Sequence, residues 1–366
     1  MVFGFSGIVP NAAIGLLSIL LVVLGADKVV NKIEGVAKYY EVSEIVIAMT
    51  IISIGTSLPE ISLHVVGSYN ILLQGSTGAF REISSTVLGG NIGSDIVQQT
   101  LVLGLVVLSS SLATGRGFNF SKKFVRRDYL PMVGASVLTL LLVLDGFLSR
   151  LDGLILVGTF VSYMYYLYTT RNEKLKEQGN ATPSQNPAQD MFIALLGMGV
   201  VLYSADVFLR VTEIVIKSTG LSGSMIGVAV VGVVSAMPEM TTALSGVYHE
   251  AEGISLGTLI GSNIVNPLMG IGLGALISTY TVPRPIIVWD LPLKTASAIV
   301  LLGYLLGRDT LTDFSARLAR SLGLDSLSDK LEDMDSRVLS VGGALLLVIL
   351  YVVYLYVRWQ YFPSDF

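Results

Sequence analysis

Ten stretches of this 366-residue chain each run apolar for about twenty residues, and nothing else in the sequence restricts the fold so strongly. They lie at roughly 10–31, 42–68, 83–110, 129–147, 151–170, 191–217, 222–248, 253–279, 290–307 and 338–358. About twenty residues of helix cover the ~30 Å of hydrocarbon in a bilayer. Lipid supplies no hydrogen-bond partner, so a spanning backbone must close its own bonds as a helix or join a sealed barrel. Barrel strands are shorter and alternate in polarity, unlike these stretches. The chain is 52% hydrophobic and only 14% charged, with a mean hydropathy of +0.71. An all-α integral membrane protein with ten transmembrane helices is therefore expected. Met1 to Pro10 lacks the positive start of a signal peptide, so the first stretch is expected to remain as a helix.

The sequence also repeats itself. Gly55-Thr56-Ser57-Leu58-Pro59-Glu60 returns as Val234-Ser235-Ala236-Met237-Pro238-Glu239. Gly93-Ser94-Asp95-Ile96-Val97-Gln98 returns as Gly261-Ser262-Asn263-Ile264-Val265-Asn266. Ala26-Asp27 matches Ala205-Asp206, and Leu130-Pro131 matches Leu291-Pro292. Each half then holds five stretches, and an odd number turns the second half upside down relative to the first. Two inverted five-helix repeats are expected, an architecture in which transporters place their site near the midplane. The boundaries read as 1–170 for the first repeat, 171–190 for a flexible polar linker, and 191–366 for the second. Within the latter, 308–337 sets Phe314, Leu318, Leu322 and Leu327 among charges and reads as an amphipathic cytoplasmic insertion. A helix lying on the membrane or packed on the bundle is favoured there over a regulatory segment.

Basic residues give the orientation. Arg116, Lys122, Lys123, Arg126 and Arg127 follow the third stretch, Arg171, Lys174 and Lys176 the fifth, and Arg308, Arg317, Arg320, Lys330 and Arg337 the ninth. These odd-numbered connections should be cytoplasmic, which puts both termini outside a multi-pass cell-membrane protein. The net charge of −4 offers no basic excess for nucleic acid. Without cysteine there are no disulfides or thiolate metal sites, and His64 and His249 cannot make a multi-histidine zinc centre.

The chemistry gathers at the repeated motifs. A carboxylate at membrane depth costs roughly 2.5–3.5 kcal/mol to insert and usually marks an ion or proton path. Glu60 and Glu239 each follow a proline, which frees a backbone carbonyl from its helical donor. Ser94 and Gln98 stand four residues apart, as do Ser262 and Asn266, so each pair shares a helix face. Carboxylate, carbonyl and hydroxyl oxygens together suit a hard cation such as calcium. Glycines such as Gly89, Gly90, Gly93 and Gly261 also permit plain close packing of helices. Asp27 and Asp206, nearer the ends of their stretches, read as snorkelling or salt-bridged groups. Asp95, about 100° around the helix from Ser94, is placed against a neighbour or the cavity rim. His64 reads as a packed or interfacial histidine.

These motifs resemble those of the calcium/cation antiporter superfamily, most closely its sodium/calcium exchanger family, and the resemblance covers nearly the whole chain. Gly55-Thr56-Ser57-Leu58-Pro59-Glu60 matches the family signature residue for residue. The resemblance implies an antiporter exchanging calcium for sodium by alternating access, with no cofactor beyond the transported ions and with membrane lipid and cations as partners. By that resemblance Glu60 and Glu239 are the calcium carboxylates, and Thr56 and Ser235 offer backbone carbonyls beside calcium. Ser57, Ser94 and Ser262 line sodium sites, while Gln98 and Asn266 take the central polar positions. Ala236 stands where the family usually has a serine, and Gln98 where asparagine is common. Those departures keep open a proton/calcium antiporter of the same superfamily, although the proton-coupled branch typically has Gly-Asn-Ala before its glutamate. A cation channel and an intramembrane enzyme are the remaining classes. No metalloprotease motif, P-loop or nucleophile supports the enzyme.

Overall fold

Polarity in this molecule is turned inside out. Leu16, Leu17, Leu24, Leu154, Leu195, Leu196, Val300, Leu346 and Val352 point outward, while Ser57, Glu60, Ser94, Asp95, Gln98, Glu239, Asn263 and Asn266 are buried. Continuous apolar surface of this kind is not left facing water. The computed structural model describes residues 8–40, 57–74, 78–114, 118–120, 124–170, 183–248, 252–321 and 338–366. Among these, eight helices are long and apolar enough to cross a membrane. The stretch at 42–68 is described only from Ser57, where it forms the Leu58–Gln74 helix. That at 129–147 forms Leu130–Leu142, after a π-helical turn, Val125–Tyr129, bearing Arg126, Arg127 and Asp128.

Two long helices, Ile8–Tyr39 and Pro187–Thr219, pack against each other along their length. Gly25 abuts Val201, Gly197 abuts Val29, and Gly15 abuts Val211, so the backbones approach through glycine–valine contacts. The second helix starts before the expected residue 191. Asn186 accepts the Gln189 N–H at 3.2 Å, and Pro187 takes the first helical position, where its missing N–H costs nothing. The helix ends on Gly220, whose φ of 70° is the left-handed cap that glycine adopts without strain. At one end Lys32 pairs with Asp190 at 2.7 Å, tying the two helices together.

The core is a crossing of Gly78–Val97 with the broken segment Gly223–Ile226, Gly227–Val231 and Gly232–Ser235. Here glycines from both sides interdigitate. A β-carbon on Gly93 would lie 2.7 Å from the Val228 Cα, and one on Gly232 would lie 2.5 Å from the Ser94 N. Such small-residue contacts let helices approach at backbone distance and hold in lipid, where no hydrophobic drive acts between helices. Packing is thus part of what the repeated glycines Gly89, Gly90 and Gly93 do, as the sequence allowed.

Two short antiparallel ladders join distant connections. Strand β1, Phe118–Asn119, pairs with β4, Val338–Leu339, in the register Phe118 to Leu339. Strand β2, Phe147–Leu148, pairs with β3, Tyr280–Thr281, in the register Phe147 to Thr281. The stretch expected at 290–307 runs on as one helix, Leu291–Ser321, so the first part of the expected insertion continues a membrane helix. The rest of that insertion, 322–337, and the linker residues 171–182 lie outside the described residues. Val341–Tyr361 closes the bundle and buries Arg358, which faces Asp290 at 3.3 Å.

Candidate cation site

Proline breaks the backbone where the site begins. Pro238 has no N–H to donate, and the helix interrupts at Ala236 between Gly232–Ser235 and Met237–Tyr248. The Leu58–Gln74 helix opens in the same way, with Pro59 at its second residue. Both new helices are tied back alike, Ile61 N–H to the Ser57 carbonyl and Met240 N–H to the Ala236 carbonyl, each at 3.0 Å. Glu60 and Glu239 therefore occupy the first turns of their helices, where the positive end of the helix dipole favours an anion.

Both carboxylates are wholly buried. The Ser94 hydroxyl donates to Glu60 Oε1 at 2.8 Å, and the Ser262 hydroxyl to Glu239 Oε1 at 3.1 Å. In each glutamate the second oxygen, Oε2, has no hydrogen-bond partner. A buried charged oxygen left unsatisfied is costly, so each such atom calls for a ligand. The two glutamates act on one another electrostatically, while the Ser235 hydroxyl donates to the Gly232 carbonyl at 3.5 Å. The sequence's paired motifs thus come together in space.

The amides divide the work unequally. Gln98 donates to the Ser94 hydroxyl at 3.1 Å, while its own carbonyl accepts from Asn263 at 2.9 Å. Asn263 also accepts from Gln99 at 2.7 Å. Asn266 instead donates to Asp95 at 2.8 Å, which leaves its Oδ1 without a partner. Of the two central amides, Asn266 is the one with a carbonyl oxygen to offer, and Gln98 serves as a hydrogen-bonded support. Ser57 is buried with its hydroxyl unpartnered, and its counterpart, Ala236, is equally buried. Thr56 lies outside the described residues, as do His249 and the side chain of Asp27.

Both Gln98 and Asn266 open a π-helical turn, Gln98–Val102 and Asn266–Ile271. Such bulges re-aim side chains and recur at functional sites. Among the described residues no three histidine, aspartate or glutamate side chains are placed to hold a metal ion together. The donor set is instead two carboxylates with hydroxyl and amide oxygens, which matches hard cations such as calcium and sodium.

Residues outside the repeated motifs complete the surroundings. Of the two places expected for it, Asp95 takes the one against a neighbour. It is fully buried and paired with the equally buried ammonium of Lys294. Asn91 donates to the Asn266 backbone carbonyl at 3.0 Å. Lys294 carried a legible signal, since a lysine inside an apolar stretch invites the same question as a glutamate there. Asp206 is salt-bridged to Arg210 at 2.8 Å and accepts from Asn70 at 2.8 Å, as expected, although it lies well inside the Pro187–Thr219 helix and not near its end. His64 is packed, with Nδ1 3.0 Å from the Tyr280 hydroxyl.

If Ser57 and Ala236 line a site that takes sodium, Ala236→Ser is expected to strengthen and Ser57→Ala to weaken the response of cation flux to sodium, by severalfold in half-saturating sodium. Flux measured against sodium concentration reads both, and no change in either variant would remove these positions from the site.

Known proteins resemble this chain over most of its length. The family model described as sodium/calcium exchanger protein matches residues 11–169 and 190–360. The inner membrane protein YrbG of Escherichia coli is 26% identical over 275 residues, 73% of this chain and 79% of that protein. The sodium/calcium exchanger MaX1 of Methanosarcina acetivorans is 23% identical over 335 residues, covering 81% and 91%. Among solved structures, the sodium-calcium exchanger NCX_Mj superposes with a TM-score of 0.54 at 21% identity, covering 94% of this chain and 96% of that one. The H+/Ca2+ exchanger CAX does so with 0.66 at 16% identity, covering 95% and 87%. At such identities the structural likeness speaks to the fold. The match to the family model spans both halves, and on it the chain belongs to the sodium/calcium exchanger family.

Proposed function

We propose that this protein is a secondary active antiporter that exchanges calcium for sodium by alternating access, with Glu60 and Glu239 as the shared cation ligands. The chain is a membrane transporter of cations and not an enzyme. One observation carries the finer reading: two buried glutamates from equivalent places in the chain act on one another electrostatically, each with one oxygen unpartnered. Two negative charges neutralise one calcium ion or two sodium ions, so the loads compete. The name of the relative MaX1 supports sodium as the counter-ion.

The architecture we propose is ten spans in two inverted repeats, 1–170 and 191–366, joined by the linker 171–190. The ladders support it. Strand β1 follows the third span and β4 precedes the tenth, while β2 precedes the fifth and β3 follows the eighth. Exchanging the halves by inversion converts one ladder into the other. The basic connections put β1 and β4 on the cytoplasmic side and both termini outside. The paired long helices, 8–39 and 187–219, pack on each other along their length, and in this reading they slide across the core to open the site to either face.

Proton coupling is the second reading, and Ala236 favours it, because a missing hydroxyl takes one neutral ligand from sodium. Both kinds of exchanger slow in acid, since protonated carboxylates are poor ligands, so the discriminating quantity is drive. An outward sodium gradient at equal pH, with voltage clamped, is expected to pull calcium into vesicles several times faster than a pH gradient without sodium. Uptake driven by the pH gradient alone, with sodium adding nothing, would assign the protein to proton coupling.

A further inference from the structure

We propose that Lys294 is a tethered counter-cation, whose ammonium permanently fills a place that a transported monovalent ion would otherwise take. The inference rests on the cation-exchange reading above and adds to it the number of ions carried.

Lys294 follows Pro292 in the first turn of the Leu291–Ser321 helix, and its side chain has no solvent exposure. Its partner, Asp95, neighbours Ser94, the donor to Glu60, and acts electrostatically on both Glu60 and Glu239. Three carboxylates thus share one desolvated region with one ammonium. Their sum is two negative charges, which one divalent or two monovalent cations cancel. A third monovalent ion would leave an unbalanced positive charge where the low dielectric makes it expensive. The pair also positions a donor, because Asp95 accepts from the Asn266 amide and leaves Asn266 Oδ1 available.

The chain carries its own comparison. Glutamates recur in both halves, but the ion pair, which joins Asp95 of the first half to Lys294 of the second, has no charged counterpart at the matching positions. The position matching Asp95 is Asn263, which is hydrogen-bonded to Gln98 and Gln99. By the match of Leu130-Pro131 to Leu291-Pro292, the position matching Lys294 is Val133, which packs in the hydrophobic core. The matching positions, Asn263 and Val133, thus carry no charge, and the charge on Asp95 and Lys294 answers a different need. Burying an ion pair seldom stabilises a protein over apolar packing, so stability alone does not account for it.

The test counts bound ions on the purified full-length protein in lipid nanodiscs, by equilibrium dialysis of radioactive sodium and of calcium. Lys294→Gln frees Asp95 and is expected to bind one more sodium ion than the wild type, with a steeper sodium dependence of calcium displacement. Adding Asp95→Asn to it should return the sodium count to the wild-type value. An unchanged count in Lys294→Gln, or an extra ion that persists in the double variant, overturns the proposal. Should Lys294→Gln not fold, Asp95→Asn decides. It leaves the ammonium unpaired and should weaken calcium binding at least about tenfold, with recovery in the double variant; wild-type calcium affinity in Asp95→Asn overturns the proposal. A wild type that binds neither ion defeats the exchange reading itself and this proposal with it, whereas a wild type that binds both, beside indifferent variants, defeats the tethered charge alone.

Discussion

Glu60→Gln is expected to abolish calcium exchange while leaving a folded, membrane-inserted protein. Two unit charges 4 Å apart interact by about 4 kcal/mol at an effective dielectric of 20, and a divalent ion roughly doubles this. Removing one carboxylate charge from a site that has two should therefore weaken calcium binding at least about a thousandfold. The fold has no such dependence. Glutamine keeps the shape and an oxygen for the Ser94 hydroxyl, and it removes a buried charge whose desolvation the fold must otherwise offset. Thermal stability without calcium should match or exceed that of the wild type, whereas stabilisation by added calcium should disappear. Glu239→Gln should behave alike, since Ser262 holds it as Ser94 holds Glu60. Vesicle flux and calcium-dependent melting read both properties, and wild-type flux in either variant would sink the proposed site.

What the sequence shows of this arrangement follows from how each residue signals. Glu60 and Glu239 are legible because an unaccompanied carboxylate in an apolar run is expensive, and its return beside proline is improbable without shared purpose. Ser94 and Ser262 are legible through spacing alone. The uneven roles of Gln98 and Asn266 are not, for both are amides four residues after a serine. Only the packed structure shows Asn263 capping the Gln98 carbonyl and Asp95 holding the Asn266 amino group. Asp95 and Lys294 lie far apart in the chain, so no local pattern pairs them. The π-helical turns are also hidden, since the rotation of about 100° that one extra residue causes leaves little mark in stretches that are apolar nearly all round. Helix starts were recoverable in principle. Asn186-Pro187 is an N-cap followed by proline, a stronger boundary signal than the onset of apolar sequence near residue 191.

Gly232→Ala carries the other large effect, and it tests whether the site depends on backbone contact between the crossed helices. The added β-carbon would lie 2.5 Å from the Ser94 N and 2.6 Å from the Gly93 carbonyl carbon. Both are backbone atoms of a helix and cannot rotate aside, so the Gly78–Val97 helix must move away. Overpacking of this kind costs about 1–3 kcal/mol. Ser94 moves with its helix, taking its hydroxyl from Glu60 and, through Gln98, disturbing Asn263. A misplacement near 1 Å can cost about a hundredfold where geometry sets the rate. Gly232→Ala is therefore expected to lose calcium exchange at least about a hundredfold and to melt several degrees lower. Gly158→Ala supplies the control, because among the described residues no atom lies within 4 Å of its would-be β-carbon. That substitution should leave flux and melting unchanged. Were Gly232→Ala to exchange calcium like the wild type, the crossed helices would have to be separated during transport rather than locked at this contact, and the sliding motion would belong to the core itself.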